Sequence, residues 1–322
     1  MQHARLPRPL PAEGELSPCT SPDRRSPAIT LDMSETRLVI AGLRLLIEGP
    51  RDRLALVSSD RYRDFHGEFE APDVRIAIGE DLDPDSAELP RGEDMVFDSC
   101  TVWSMYRHGG ETSILLRSPV EGGKPYRLAV FGDGYREGLV RTVRGSAASE
   151  DPDGYDPLEF PLSEVMMVSI LSLGAGLMVH ACGIEHDGRG LLFAGNSTHG
   201  KSTMAGLWKG SGRVLNDDRI VIRRDGGGFR MYGTPWHGEV REASAEGTRL
   251  DAVHFLRQGT SNALEPVRGA RAVSMLLARS FLPLWSREGM DFVLRFCGSV
   301  TDAVPFRTLT FLPDPSVLEL LR

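Results

Sequence analysis

Cysteine is scarce in this chain. The four that occur, Cys19, Cys100, Cys182 and Cys297, lie far apart and share no C-x-x-C or Cys/His spacing. This argues against a disulfide framework and a zinc site, and it predicts a reducing, cytoplasmic setting. Excess positive charge is missing too: 37 basic residues against 45 acidic ones leave a net charge of -8. No basic stripe interleaved with aromatics is present, so nucleic acid is not an expected partner. The N-terminal arginines are followed by prolines and acids instead of an apolar run, so no secretory leader is read there. Long charge-free runs are also lacking, with one exception. Residues 165–184, "VMMVSILSLGAGLMVHACGI", contain two serines, a Gly-Ala-Gly break and His180. They read as a buried helix followed by a buried strand, not as a membrane span.

What is present is enough apolar material for a globular protein of two domains: 41% of 322 residues. Residues 1–33 are rich in Pro and Ser without periodicity and read as a flexible tail, all but the last residue of which a translation start at Met33 would omit. Residues 34–150 alternate short apolar, β-branched runs such as "VRIAIG", "TSILLRS" and "YRLAVFG" with turns, the pattern of a β-rich accessory domain. No paired carboxylates, metal cluster or nucleophile stand out in it. A linker dense in Gly, Ser, Asp and Pro, 144–157, leads into 158–322, where helices and strands interleave as in an α/β domain.

That half opens with a helix over 162–173 and a hairpin whose strands flank His186-Asp187-Gly188-Arg189-Gly190. Then comes "LLFAGNSTHGKSTMAGLW". The run Gly195, Asn196, Ser197, Thr198, His199, Gly200, Lys201, Ser202 fits G-x-x-x-x-G-K-[ST], a phosphate-binding loop, and Thr203 continues it into a helix. An apolar strand precedes it. Backbone N–H groups and the positive helix end would therefore converge on nucleotide phosphates, with Lys201 at the outer ones and the Ser202 hydroxyl on magnesium. His199 is an unusual filler, expected to face solvent.

Further on, "VLNDDRIVI" places Asp217 and Asp218 between two apolar runs. Adjacent acids on a strand point to opposite sides, so one can serve a metal and the other an incoming hydroxyl, the division that phosphoryl transfer needs.

Taken together, "VHACGIEHDGRGLLFAGNSTHGKSTMAGLWKGSGRVLNDDRIVI" resembles the catalytic domain of the HPr kinase/phosphorylase family and, more distantly, ATP-type phosphoenolpyruvate carboxykinases. The resemblance implies an α/β, P-loop kinase domain of that type, preceded here by the smaller β-rich domain. It implies ATP and Mg2+ as cofactors and catalytic roles for His180, Asp217 and Asp218, with Asp217 as the base and Asp218 supporting metal and nucleotide. In "TPWHGEVRE" it implies that Glu239 helps with magnesium and Arg241 with transition-state charge. The loop lacks the family's Ser-Gly pair, and the glycine-rich segment tied to the carrier protein and to phosphorolysis does not follow Arg241. The expected acceptor is thus a Ser/Thr hydroxyl of a protein or peptide, with no membrane partner and with homo-oligomerisation open. The alternatives are a small-molecule phosphotransferase or carboxykinase-like enzyme, or a non-catalytic nucleotide sensor.

Overall fold

The computed structural model of the chain describes residues 32–54, 60–146, 156–196, 199–240 and 242–321. The expected tail (1–33) falls outside this set except for its last two residues, as do part of the linker (147–155), Ser197, Thr198 and Arg241. Asp32–Arg322 forms one compact unit.

Two eight-stranded sheets account for most of the regular structure, giving a mixed α/β protein. The first sheet contains β1 (Met33–Ile40), β2 (Leu43–Pro50), β3 (Val74–Ile78), β4 (Met95–Asp98), β5 (Trp103–His108), β6 (Glu111–Ser118), β7 (Lys124–Phe131) and β8 (Glu137–Thr142). Its spatial order is β1-β2-β3-β8-β7-β6-β5-β4, antiparallel except where β3 lies parallel to both neighbours. Strict alternation in β3, with Val74, Ile76 and Ile78 buried and the residues between them exposed, turns that strand's apolar face to the main core, while Tyr106, Leu115 and Leu128 of β5, β6 and β7 form a smaller buried cluster with Leu82 and Val143.

The second half begins with α1 (Leu162–Ile170), which passes through a single wide turn into β9 (Leu177–His186). There follow β10 (Arg189–Ala194), α2 (Lys201–Trp208), β11 (Arg213–Asn216), β12 (Arg219–Asp225), β13 (Gly228–Tyr232), β14 (Gly247–Gln258), β15 (Ala263–Val267), α3 (Gly269–Leu277), α4 (Arg287–Ala303), β16 (Phe306–Phe311) and α5 (Ser316–Leu321). The hairpin expected around 186–190 is present. Asp187 and Gly188 both have positive φ, as the tight turn between β9 and β10 requires. The long strands β9 and β14 each pair with one set of neighbours in their first half and another in their second, which bends the sheet. At its centre β10 runs parallel to β14, which runs parallel to β16.

The helix α1 is buried all round: every residue except Glu164 is buried. A helix apolar on all sides belongs inside a core, and here Val165, Met166, Met167 and Ile170 share one cluster with Leu38, Ile47, Ile76 and Ile114 of the first sheet and with Met178 and Val221 of the second. The charge-free run at 165–184 is therefore split between a core helix and a core strand. Among the described residues no helix is long and apolar enough to cross a membrane.

Polar and aromatic contacts cross the same seam. Arg223 of β12 donates to the carbonyls of Ala41 (2.8 Å) and Ala175 (3.1 Å). Trp285 meets Phe97 and Trp103 edge-on at 5.7 and 5.3 Å between centroids, and its indole N–H donates to Ser169 Oγ. Arg127 of β7, almost wholly buried, pairs with Glu159 at 2.9 Å and donates to the Asp156 carbonyl, fastening the segment before α1 to the first sheet.

Candidate active site

The buried strand β10 ends at Ala194, and Gly195, Asn196, His199 and Gly200 follow at the carboxyl end of the parallel strands β10, β14 and β16, where open α/β sheets offer a crevice. Gly200 begins α2 with φ +96°, and a Cβ there would lie 2.6 Å from Phe311 Cζ, so backbone angle and close approach both require glycine. No side chain caps α2. Its first N–H groups have no partner within the helix and face the cleft end of the sheet.

Lys201 is only 7% exposed, and its Nζ donates to the carbonyls of Gly195 (3.2 Å) and Asn196 (3.3 Å). Burial lowers its pKa, opposed by the charges of Asp218 and Asp217. His199 is half-buried. Its Nδ1 accepts the Asn196 N–H at 3.3 Å, so it braces the loop where a solvent-facing ring was expected.

The two aspartates stand in the bend between β11 and β12 and have different surroundings. Asp217, 1% exposed, accepts the Gly238 N–H (2.8 Å) on Oδ1, and the Val240 N–H (3.0 Å) and Ser202 hydroxyl (3.1 Å) on Oδ2. Asp218 instead meets His180 Nε2 at 2.9 Å and pairs with Arg219, which also reaches Glu164 at 2.9 Å. Burial raises the Asp218 carboxyl, but the His180 hydrogen bond and the neighbouring positive charges outweigh it and hold the group below the usual carboxylate range.

Asn216, fully buried, organises this bend. Its Oδ1 accepts the N–H groups of Asp218 (2.6 Å) and Arg219 (2.7 Å), while its Nδ2 donates to the carbonyls of Thr234 (2.9 Å) and Trp236 (3.3 Å). Sequence reasoning passed over Asn216 and Arg219. An asparagine directly before an acid pair, able to fold back on its own chain, was the available signal for the first.

His180, Gly200, Lys201, Ser202, Thr203, Asp217, Asp218 and Glu239 line one cleft of about 260 Å³, joined by Gly238 and by Gln258 at the end of β14. The expected site residues that can be placed thus meet, apart from Gly195, Asn196 and His199, which form the loop behind Lys201. Ser197, Thr198 and Arg241 lie outside the described residues. Cys182 is fully buried, and burial raises its thiol pKa, so it is an inert part of the core.

The molecule is thus a mixed α/β protein in which a strand, a glycine-bearing loop and a helix open onto a cleft with two inequivalent acids. Residues 161–293 match the family described as SynChlorMet cassette protein ScmC. Among solved structures, the Hpr(Ser) kinase/phosphatase from Coxiella burnetii is similar over 45% of this chain and 87% of its own, with 12% sequence identity and a TM-score of 0.28. A likeness of that size does not carry an activity across. No curated protein sequence matches the chain.

Proposed function

We propose that the chain is a Mg-ATP-dependent phosphotransferase that moves the γ-phosphoryl group to a Ser/Thr hydroxyl of a protein or peptide. The observation that carries this reading is the convergence on one cleft of Lys201, the uncapped start of α2, the Ser202–Asp217 pair and the His180–Asp218 pair. The donor set fits the cofactors. Ser202, Asp217 and Glu239 supply hard oxygen ligands. Hard oxygen donors suit magnesium, an ion that keeps waters and shares phosphate oxygens. Bound Mg2+ would neutralise charge on the transferred group.

The geometry supports exchanging the two acid roles that the resemblance implies. Asp217, buried and occupied by two backbone N–H groups, is placed to hold the Ser202 side of the site. Asp218 lines the cleft beside His180, which supports reading it as the proton acceptor. Lys201 exchanges the Gly195 and Asn196 carbonyls for the phosphates. The acceptor oxygen attacks the γ-phosphorus, the bond to the ADP oxygen breaks, and the hydroxyl proton passes to Asp218, with His180 fixing that carboxylate's orientation.

Thermal unfolding with and without Mg-ATP tests the nucleotide site. At about a hundredfold over its dissociation constant the ligand adds roughly 2.7 kcal/mol to the wild type, and Lys201→Ala is expected to lose most of it. Equal stabilisation of both proteins would remove the loop from the argument.

A further inference from the structure

A second cavity, about 170 Å³, adjoins the cleft and shares no lining residue with it. Its walls include Arg61, Phe160, Glu164, Arg219, Trp236 and His237. Two features join it to the cleft. Arg219 lines it and pairs with Asp218, and His237 lines it while the next two residues, Gly238 and Glu239, line the cleft. A group seated there lies beside the carboxylate proposed to take the acceptor's proton.

Size, polarity and charge narrow the occupant. The cavity is smaller than the neighbouring cleft, about 170 against 260 Å³, and suits a single side chain. Phe160 is 58% exposed and Trp236 offers an indole wall, an apolar surface that an incoming aromatic or aliphatic group would cover. Arg219 is already balanced by Asp218 and Glu164. Arg61 is not held as closely. Its side chain is 46% exposed and its one described ion pair, to Asp156, spans 3.5 Å, on an oxygen that also accepts the Tyr62 hydroxyl at 3.0 Å. A carboxylate arriving at Arg61 would find a cation with donors to give.

We infer that this cavity is the acceptor-side pocket, taking one apolar or aromatic side chain of a peptide that carries an acidic group near its phosphorylated Ser or Thr, the acid against Arg61. The inference rests on the phosphotransferase reading and gives the first half of the chain a task in it, because Arg61 is supplied from there.

The test uses the full chain with Mg2+ and a non-hydrolysable ATP analogue. Fluorescent serine peptides carrying Phe and Asp on either side of the serine are compared with versions bearing Ala for Phe, and Asn or Lys for Asp, with blocked and free termini. Binding is read by anisotropy and transfer by labelled ATP. The Phe/Asp peptide is expected to bind on the order of tenfold more tightly than each substituted one, about 1.4 kcal/mol. Arg61→Glu should turn the preference from Asp to Lys, and Phe160→Ala should erase the preference for Phe. Because Arg61→Glu sets a negative charge beside Asp156, Arg61→Gln is measured in parallel, and each variant's melting in Mg-ATP reports its fold. Equal binding of all peptides, no binding of any, or unchanged selection in the Arg61 and Phe160 variants overturns the pocket assignment. Selection that follows only a free terminal carboxylate places the acid there and not on a side chain. Selective binding without transfer leaves the pocket and refutes the phosphotransferase. Transfer to small hydroxyl compounds with no response to peptides refutes the pocket and leaves the phosphotransferase.

Discussion

Replacing either aspartate by asparagine changes one oxygen to an amide, yet the two changes should have opposite signatures. In Asp217→Asn, the wild-type Oδ1 faces the Gly238 N–H at 2.8 Å, and Oδ2 faces the Val240 N–H at 3.0 Å and the Ser202 hydroxyl. An amide serves one side only and sets its NH2 against a backbone N–H on the other, in a site that is 1% exposed. One buried donor goes unpaired and the charge that strengthened the remaining bonds is gone, a loss of about 2–4 kcal/mol. At about 2 °C per kcal/mol that lowers the melting temperature by roughly 4–8 °C. The bent strap at 238–240 would also lose its anchor, and Glu239 its place at the cleft. Asp218→Asn keeps the Arg219–Glu164 pair and the Asn216 bonds to the backbone. Its ion pairs are partly buried, but Arg219 keeps Glu164 and the amide can still accept one bond, so the stability loss should be smaller, about 1–2 kcal/mol, while transfer should fall on the order of 10²–10⁴-fold. Melting curves and single-turnover transfer on both variants check this. An Asp217→Asn protein that melts with the wild type, or an Asp218→Asn protein that transfers at the wild-type rate, would refute the exchanged roles.

Three further outcomes are expected of the protein. Gly200→Ala forces a left-handed angle on alanine, about 1–2 kcal/mol, and drives its methyl to 2.6 Å from Phe311; calorimetry should show weakened stabilisation by Mg-ATP as well as a lower melting temperature. His254, buried against Phe193 at 5.4 Å between ring centroids, is pushed by burial and by the charges of Arg307 and Arg189 down to about 3. Its folded form stays neutral while the unfolded chain takes up a proton below about pH 6.5, so stability is complete above that value and declines as pH falls towards 3. Urea unfolding at pH 7.5 and 5.5 should show about 1.4 kcal/mol more loss in the wild type than in His254→Leu. A fragment starting at Leu158 should fail to unfold cooperatively, because α1 and β9 would expose the faces now covered by Leu38, Ile47 and Ile76; a fragment with a sharp melting transition and native circular dichroism would contradict the shared core.

Local chemistry was legible in the residues themselves. The β9–β10 hairpin is written in Asp187-Gly188, the amphipathic α4 in its apolar spacing, and the turn into α2 in Gly200-Lys201-Ser202, because each depends on neighbours a few positions apart. Strand β8 is less legible, since Glu137 and Arg141 are polar on the open face and gain strand structure from pairing with β3 and β7. His180, Lys201, Asp217 and Asp218 could be named as candidates, but not assigned to one another. Alternation along a strand predicts that the acids diverge without saying which meets Ser202 and which meets His180.

The amino-acid sequence alone determined the order of local elements, the glycine-bearing loop and the residue types around it, since propensity and turn chemistry act over a few bonds. The tertiary structure decided the partners. Asp217 became a buried clamp because the 238–240 strap returns to it, and Asp218 an accessible carboxylate because β12 pairs with β9 and sets it against His180. It likewise set α1, buried at every residue but Glu164, in one cluster with residues of both sheets.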